Sequence, residues 1–280
     1  MRTWAGRILV ATVALALPLG AFAATTNTGR ESGAPFGQHV LSEQPTGALT
    51  ILYAPSEDDD PALRAAIAAF TGGTVDYFDA RAATPDVATL QNYECVYTWA
   101  NYLYSDNILF GDNLATYVDG GGSVVLGAFA AYTSGNYLGG AIMGAGYCPV
   151  TGGTNHFATS NYAGDGTTPI HTGVTTYECV YRDILTLQGG GLQDGSYLDG
   201  EIAHAYRPDF RVIYSNGSGA TQLGCTGDWA LLVANACGAA SAAPPVANPL
   251  EIPTLGVVGL VALGLALALG ATLVMRRRTA

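Results

Sequence analysis

The sequence predicts an α/β protein: a doubly wound, mostly parallel sheet with a β/loop-rich insertion, followed by one C-terminal transmembrane helix. Three observations predict it. Short apolar runs alternate with helix-spaced segments from residue 49 to 126. Residues 133–210 turn rich in Gly and Tyr and lose the long helical spacing. Residues Leu255 to Met275 carry no charge.

The first region reads strand, helix, strand. Leu49 to Tyr53 is a short apolar run that ends in Ala54-Pro55-Ser56. Asp60 before Pro61 is a cap followed by a residue fit for the first helical position, and Gly72-Gly73 stops the helix that begins there. Thr74 to Phe78 is the second strand, and Thr84-Pro85-Asp86 opens a short helix carrying Val87 and Leu90. Cys95 to Trp99 is the third strand. Ile108 to Val118 has helical spacing through Ile108, Leu109, Leu114, Tyr117 and Val118, and Ser123 to Leu126 is the fourth strand. This alternation implies βαβ units, right-handed crossovers and clefts at the carboxyl ends of the strands.

In the insertion, strands are expected near Tyr147 to Val150, Asp183 to Leu187, Tyr197-Leu198 and Glu201 to Tyr206. The pentapeptide Tyr-Glu-Cys-Val-Tyr occurs at 93–97 and 177–181 without flanking similarity, so it reads as coincidence rather than a repeat. Arg211 to Ser215 resumes the strand pattern. Asp228 to Cys237 is a closing helix with Gly238 as its stop, and residues 240–251, with three prolines, are an extended linker.

The two ends carry addresses. Arg2 and Arg7, the apolar stretch Ile8 to Leu19 and Ala21-Phe22-Ala23 form a leader over residues 1–23, cut before Ala24. Residues 24–48 are a polar leader arm. The 21 uncharged residues from Leu255 to Met275 would span about 31 Å as a helix, the thickness of a bilayer core. Arg276, Arg277 and Arg278 hold that end in the cytoplasm, which places residues 49–239 beyond the membrane.

All 22 acidic residues lie between Glu31 and Glu251, against six arginines in the exported part, a net charge of −16 there. Such a surface repels nucleic acid and anionic lipid. The five cysteines are free to pair in an oxidising compartment. Cys225 with Cys237 closes a short loop, and Cys148 with Cys179 is a second bridge; Cys95 is then left as a small buried hydrophobe, though spacing alone does not fix the pairing. With no C-x-x-C pair and scattered histidines, no zinc site and no cofactor are expected.

The tail Ile252-Pro253-Thr254-Leu255, a Gly-punctuated apolar helix and Arg276-Arg277-Arg278 resembles the IPTL-CTERM sorting signal of Gram-negative bacteria over residues 252–278. Gly256 stands where that signal usually has Ser. The resemblance implies an exosortase-like processing protease as partner and cleavage near Pro253-Thr254. It implies a path from the inner membrane and periplasm to the cell surface or extracellular matrix. A permanent single-span anchor has the same hydropathy.

Residues 49–239 resemble the class I glutamine amidotransferase-like superfamily, including trehalose-utilisation-type domains, with a flavodoxin-like sheet. The resembling stretches are Val75 to Arg81, Trp99 to Asp106, Tyr117 to Leu126, His171 to Val174 and Gly227 to Asn235. Active members place a nucleophilic Cys in Leu-Gly-x-Cys-x-Gly; here Leu126-Gly127-Ala128-Phe129-Ala130-Ala131 puts Phe129 at that position and Ala131 for the last Gly. Phenyl cannot attack a carbonyl, and no His-Pro-Glu arrangement supplies a base, so no catalytic residue is assigned. The function expected is a non-catalytic amidotransferase-like domain serving binding or extracellular-matrix structure, with extracellular polysaccharide as a partner class. The alternative is an extracellular hydrolase or sugar-modifying enzyme using a polar cleft. That cleft gathers Asp58, Asp59, Asn101, Tyr102 and Asp106 at the strand edge, where aromatics beside amide and carboxylate groups suit sugar rings and hydroxyls. For the acids at 58–60, helix capping and dipole compensation are the favoured account over binding a divalent cation. His171 and His204 read as structural.

Overall fold

The structure is a computed structural model that describes residues 48–218 and 223–242. The expected leader, polar arm, linker and sorting tail, with Ile252 to Leu255 and Arg276 to Arg278, lie outside the described residues. Among the described residues no helix is long and apolar enough to cross a membrane.

The alternating region folds as β1 (Thr50–Tyr53), α1 (Pro61–Thr71), β2 (Thr74–Tyr77), α2 (Val87–Leu90), β3 (Cys95–Thr98), α3 (Asn107–Asp119) and β4 (Ser123–Gly127). The insertion supplies β5 (Val150–Thr151), β6 (Asn155–Asn161), β7 (Tyr177–Asp183), β8 (Thr186–Leu187), β9 (Leu192–Gln193) and β10 (His204–Tyr206). The chain closes with β11 (Val212–Ser215), β12 (Thr226–Gly227) and α4 (Trp229–Ala242).

Seven strands form one sheet in the order β2-β1-β3-β4-β11-β10-β9. The five from β2 to β11 pair in parallel, while β10 and β9 add antiparallel. Winding runs outward in both directions from the β1/β3 junction, the switch point at which such sheets open a crevice. Alternation along the central strands sorts the core into two layers. Ile51, Tyr53, Cys95, Tyr97, Val125 and Ile213 join one buried cluster with Ile67 of α1 and Leu232 of α4. Leu52, Val96, Val124, Leu126 and Tyr214 join the other with Phe110 and Leu114 of α3. Each fully buried aliphatic side chain contributes roughly 1.5–3 kcal/mol of transfer free energy.

The expected caps are in place. Asp60 accepts from the Leu63 amide at 3.0 Å, and Gly72 ends α1 at φ 68°. Three elements differ from expectation. Helix α4 runs through Gly238 to Ala242, because Ala236 and Ala239 are buried on either side and packing outweighs the roughly 1 kcal/mol cost of a helical glycine. Ile108 and Leu109 are exposed, and Phe110 and Leu114 carry the buried face of α3. The main strands of the insertion are β6 and β7, paired antiparallel and extended by β12; Tyr197 makes only an isolated bridge to Tyr162. Both copies of Tyr-Glu-Cys-Val-Tyr contribute strands, but to different sheets.

The disulfides also differ. Cys95 pairs with Cys237, Cα atoms 5.5 Å apart, and Cys179 pairs with Cys225 at 4.2 Å. Cys148 is the free, buried thiol, and burial pushes its pKa up to about 12. The reason is geometric. Cys237 lies eight residues past the start of α4, about 12 Å along the axis, beyond disulfide reach of Cys225 ahead of the helix. Pairing of Thr226 with Glu178 sets Cys225 beside Cys179 instead.

Candidate functional site at the carboxyl edge of the sheet

Where β1 ends, Ser56 continues the parallel pairing through a bridge to Ala100 beyond β3. The Ser56 hydroxyl donates to the Tyr102 carbonyl at 2.6 Å, and the Tyr102 amide donates to the Ser56 carbonyl at 3.0 Å. This exchange fixes the loops after β1 and β3 against each other. Glu57 follows and is only 1% exposed. Its Oε1 accepts from the Asp58 amide at 2.8 Å, its Oε2 accepts from Asn101 Nδ2, and its carbonyl accepts from the Tyr77 hydroxyl at 2.8 Å. A buried carboxylate is retained at low cost only when both oxygens are bonded, and both are.

Arg81, beyond β2, closes the other side. Its guanidinium grips Asp79 through two bonds of 2.9 and 3.0 Å, reaches Asp58 at 2.7 Å and lies 5.5 Å from the Tyr102 ring centroid. The Arg81 hydrogen bond is the main cause that holds the Asp79 carboxyl below its usual range. The structure therefore brings Asp58, Asn101 and Tyr102 together around a residue that the sequence did not single out, Glu57. It separates the other two. Asp59 forms a two-pronged pair with Arg64 at 2.7 Å per arm, and Asp106 caps α3 by accepting from the Leu109 amide at 2.9 Å. The acids at 58–60 thus point to three different partners, which disfavours a shared cation among them. Glu57 was legible only as one more acid in a capping run; no sequence signal marked its burial.

The turn after β4 lies along the same edge. Phe129 has φ +22°, a strained conformation for a residue with a side chain. Its ring packs against Tyr132, Tyr181 and Phe157 with centroids 6.1 to 6.3 Å away. The Ala131 amide donates to the Tyr214 hydroxyl at 3.1 Å, and that hydroxyl donates to Asp183. Burial raises the Asp183 carboxyl to about 7, although the Tyr214 bond pulls the other way. No α-helix directly follows this turn, so no helix N-terminus is available there to steady an anion.

His171 and His204 sit away from both clusters, inside a stack with Tyr162 and Tyr177. His171 Nδ1 bonds Asp194 at 2.7 Å, and both partners are buried. Among the described residues, neither ring nitrogen of His204 has a hydrogen-bond partner. A polar pocket of about 310 Å³ opens at the opposite, amino edge of the sheet between Glu94, Tyr117, Ser123 and Arg211, where Arg211 is already bonded to the Gly121 carbonyl.

No protein-family model matches the chain, and no protein of curated function matches it. Its sheet is similar to that of a cytoplasmic protein from Salmonella typhimurium LT2, at TM-score 0.50 and 11% identity, over 68% of this chain and 98% of that one. A ThuA-like protein from Bacteroides uniformis is similar at TM-score 0.43 and 14% identity, over 73% of this chain and 94% of that one. A second cytoplasmic protein from Salmonella typhimurium gives 0.46 and 10%, over 68% and 97%. The chain shares a mixed α/β architecture with the Salmonella typhimurium LT2 protein. At these identities the likeness concerns the fold alone.

Proposed function

We propose that this chain is an exported, surface-sorted protein whose amidotransferase-like domain binds or builds rather than catalyses, with extracellular polysaccharide as the partner class. The observation that carries the reading is Phe129. The chain keeps a strained turn after β4 yet places a phenyl ring there, packed among Tyr132, Tyr181 and Phe157, where a nucleophilic side chain would stand. Two disulfides support the address, since such bonds persist in oxidising compartments. The leader and tail motifs support export and sorting.

A second reading, a hydrolase or sugar-modifying enzyme, is favoured by one observation: the buried carboxylate Glu57 beside Asn101 at the strand edge. The detergent-solubilised full chain, offered glutamine, aryl esters and aryl glycosides, separates the two. Background rates are expected. Turnover that disappears in Glu57→Gln while the fold persists would transfer the site to the second reading.

A further inference from the structure

We propose that His156, Asp199 and Glu201 form a binding site for a divalent transition-metal cation of the Zn²⁺ type. One ligating atom from each of the three lies within 4.8 Å of the others. The site is far in sequence from the polar cluster around Glu57 and is built by the insertion alone.

Its parts are held rigidly. His156 stands directly opposite Arg182 in the β6/β7 pairing. Asp199 and Glu201 flank Gly200, whose φ of 89° permits a tight turn closed by the Gly200 amide on the Tyr197 carbonyl at 2.8 Å and the Tyr197 amide on the Glu201 carbonyl at 2.9 Å. The turn thus hangs both carboxylates over the strand pair that carries the imidazole, and His156 Nδ1 meets Glu201 Oε1.

Arg182 positions the carboxylates without filling the site. Its side chain is fully buried, and it holds both Asp199 oxygens at 2.9 and 2.7 Å and the Ala158 carbonyl at 2.6 Å. Its charge offsets one of the two carboxylates, leaving one net negative charge for a cation. Each bonded oxygen keeps a second lone pair. Glu201 Oε2 lies 2.8 Å from Arg182 Nη1 but outside hydrogen-bond geometry, an enclosed acceptor with no directed donor. The two-pronged bond from Arg182 fixes the orientation of the Asp199 carboxylate. Outer partners that fix ligand orientation in this way are usual around metal ions.

The donor set selects the metal class. Imidazole nitrogen suits Zn²⁺ and its first-row neighbours and is foreign to Ca²⁺ and Mg²⁺ sites. Three protein ligands on a partly open surface leave a position for water. His156 is 38% exposed in its side chain, enough for an ion to enter.

The test uses the full chain in detergent, without a polyhistidine tag, stripped with EDTA and titrated with ZnCl₂ calorimetrically at pH 7.5. One Zn²⁺ per chain is expected. His156→Ala and Glu201→Gln should each weaken binding by roughly tenfold or more, with metal-free melting temperatures close to the parent's. Absence of saturable uptake overturns the proposal. So does undiminished uptake by His156→Ala, or Ca²⁺ binding as tight as Zn²⁺ that survives that substitution. A measurement that needs no variant guards against misfolding: Zn²⁺ should protect His156 of the parent chain from diethyl pyrocarbonate, read by peptide mass. Equal modification with and without Zn²⁺ overturns the site.

Discussion

Phe129 and Tyr181 meet edge to face, ring centroids 6.1 Å apart and planes at 70°. One ring belongs to the turn after β4 and the other to the inserted strand β7, so the insertion packs directly onto the turn at the carboxyl end of β4. An enclosed aromatic contact of this kind is worth about 0.5–1.5 kcal/mol beyond area burial.

The turn's strain and the ring's packing can be separated by two substitutions. Phe129→Ala loses the packing and keeps the positive φ, with an expected destabilisation of about 3–5 kcal/mol. Phe129→Gly loses the same packing but relieves a strain of about 1 kcal/mol. Denaturant midpoints should therefore rank Gly equal to or above Ala. Elsewhere in a protein the order is usually reversed, so a Gly variant clearly weaker than the Ala variant contradicts the strain.

Removing the disulfides should cost unequal amounts. The Cys95–Cys237 loop spans 142 residues and the Cys179–Cys225 loop 46. Chain-entropy arithmetic gives about 5 and about 4 kcal/mol respectively, as upper values. Paired Cys→Ala variants melted side by side should follow that order. Non-reducing chymotryptic mapping, suited to a chain without lysine, should recover these two linkages and a free Cys148 thiol.

Stability should respond to pH through two buried groups acting in opposite senses. Burial, reinforced by His171, pushes His204 well below 6.5, with Asp194 acting weakly against it. The unfolded chain then takes up a proton that the folded chain refuses, so stability falls as pH drops below about 6.5. Asp183, raised to about 7, does the reverse: the folded chain holds a proton that the unfolded chain releases above its ordinary 3.8. Stability falls as pH rises from about 4 to 7 and is level beyond. Each slope is at most about 1.4 kcal/mol per pH unit. They offset between about pH 4 and 6.5, so the parent's melting temperature should be flat there. Asp183→Asn should unmask a rising profile and His204→Met a falling one; two flat profiles contradict both assignments.

The acids after β1 should behave as caps and surface partners. Asp60→Ala, which removes the bond to the Leu63 amide, should cost about 1 kcal/mol. Asp58→Ala, which removes an exposed ion pair with Arg81, should change stability by less than about 0.5 kcal/mol. Comparable large losses from both in chemical denaturation would point to a shared role that the geometry does not give them.

The sheet from β1 to β4 was legible because its signals are local. Apolar runs, a cap at Asp60 and a stop at Gly72 each act within a few residues. The β6/β7 ribbon was not, because Asn155-His-Phe-Ala-Thr-Ser-Asn161 carries no apolar alternation; it is held by cross-strand pairs and the Cys179–Cys225 bridge. The polar cluster at the carboxyl edge was half legible. Asn101 and Tyr102 follow a strand and so fall on its carboxyl edge, whereas the burial of Glu57 depends on Asn101, 44 residues away. Cys95 and Cys237, and His171 and Asp194, likewise meet only through the sheet and helix packing that brings distant segments together.

The proposed role rests on the domain working beyond the inner membrane, and intact mass of the protein isolated from its native cells tests this most directly. After alkylation without reduction, the expected chain begins at Ala24, ends near Pro253 and carries two disulfides with one thiol. A full-length chain with Met1 and Arg278 in place and five alkylated cysteines would contradict it.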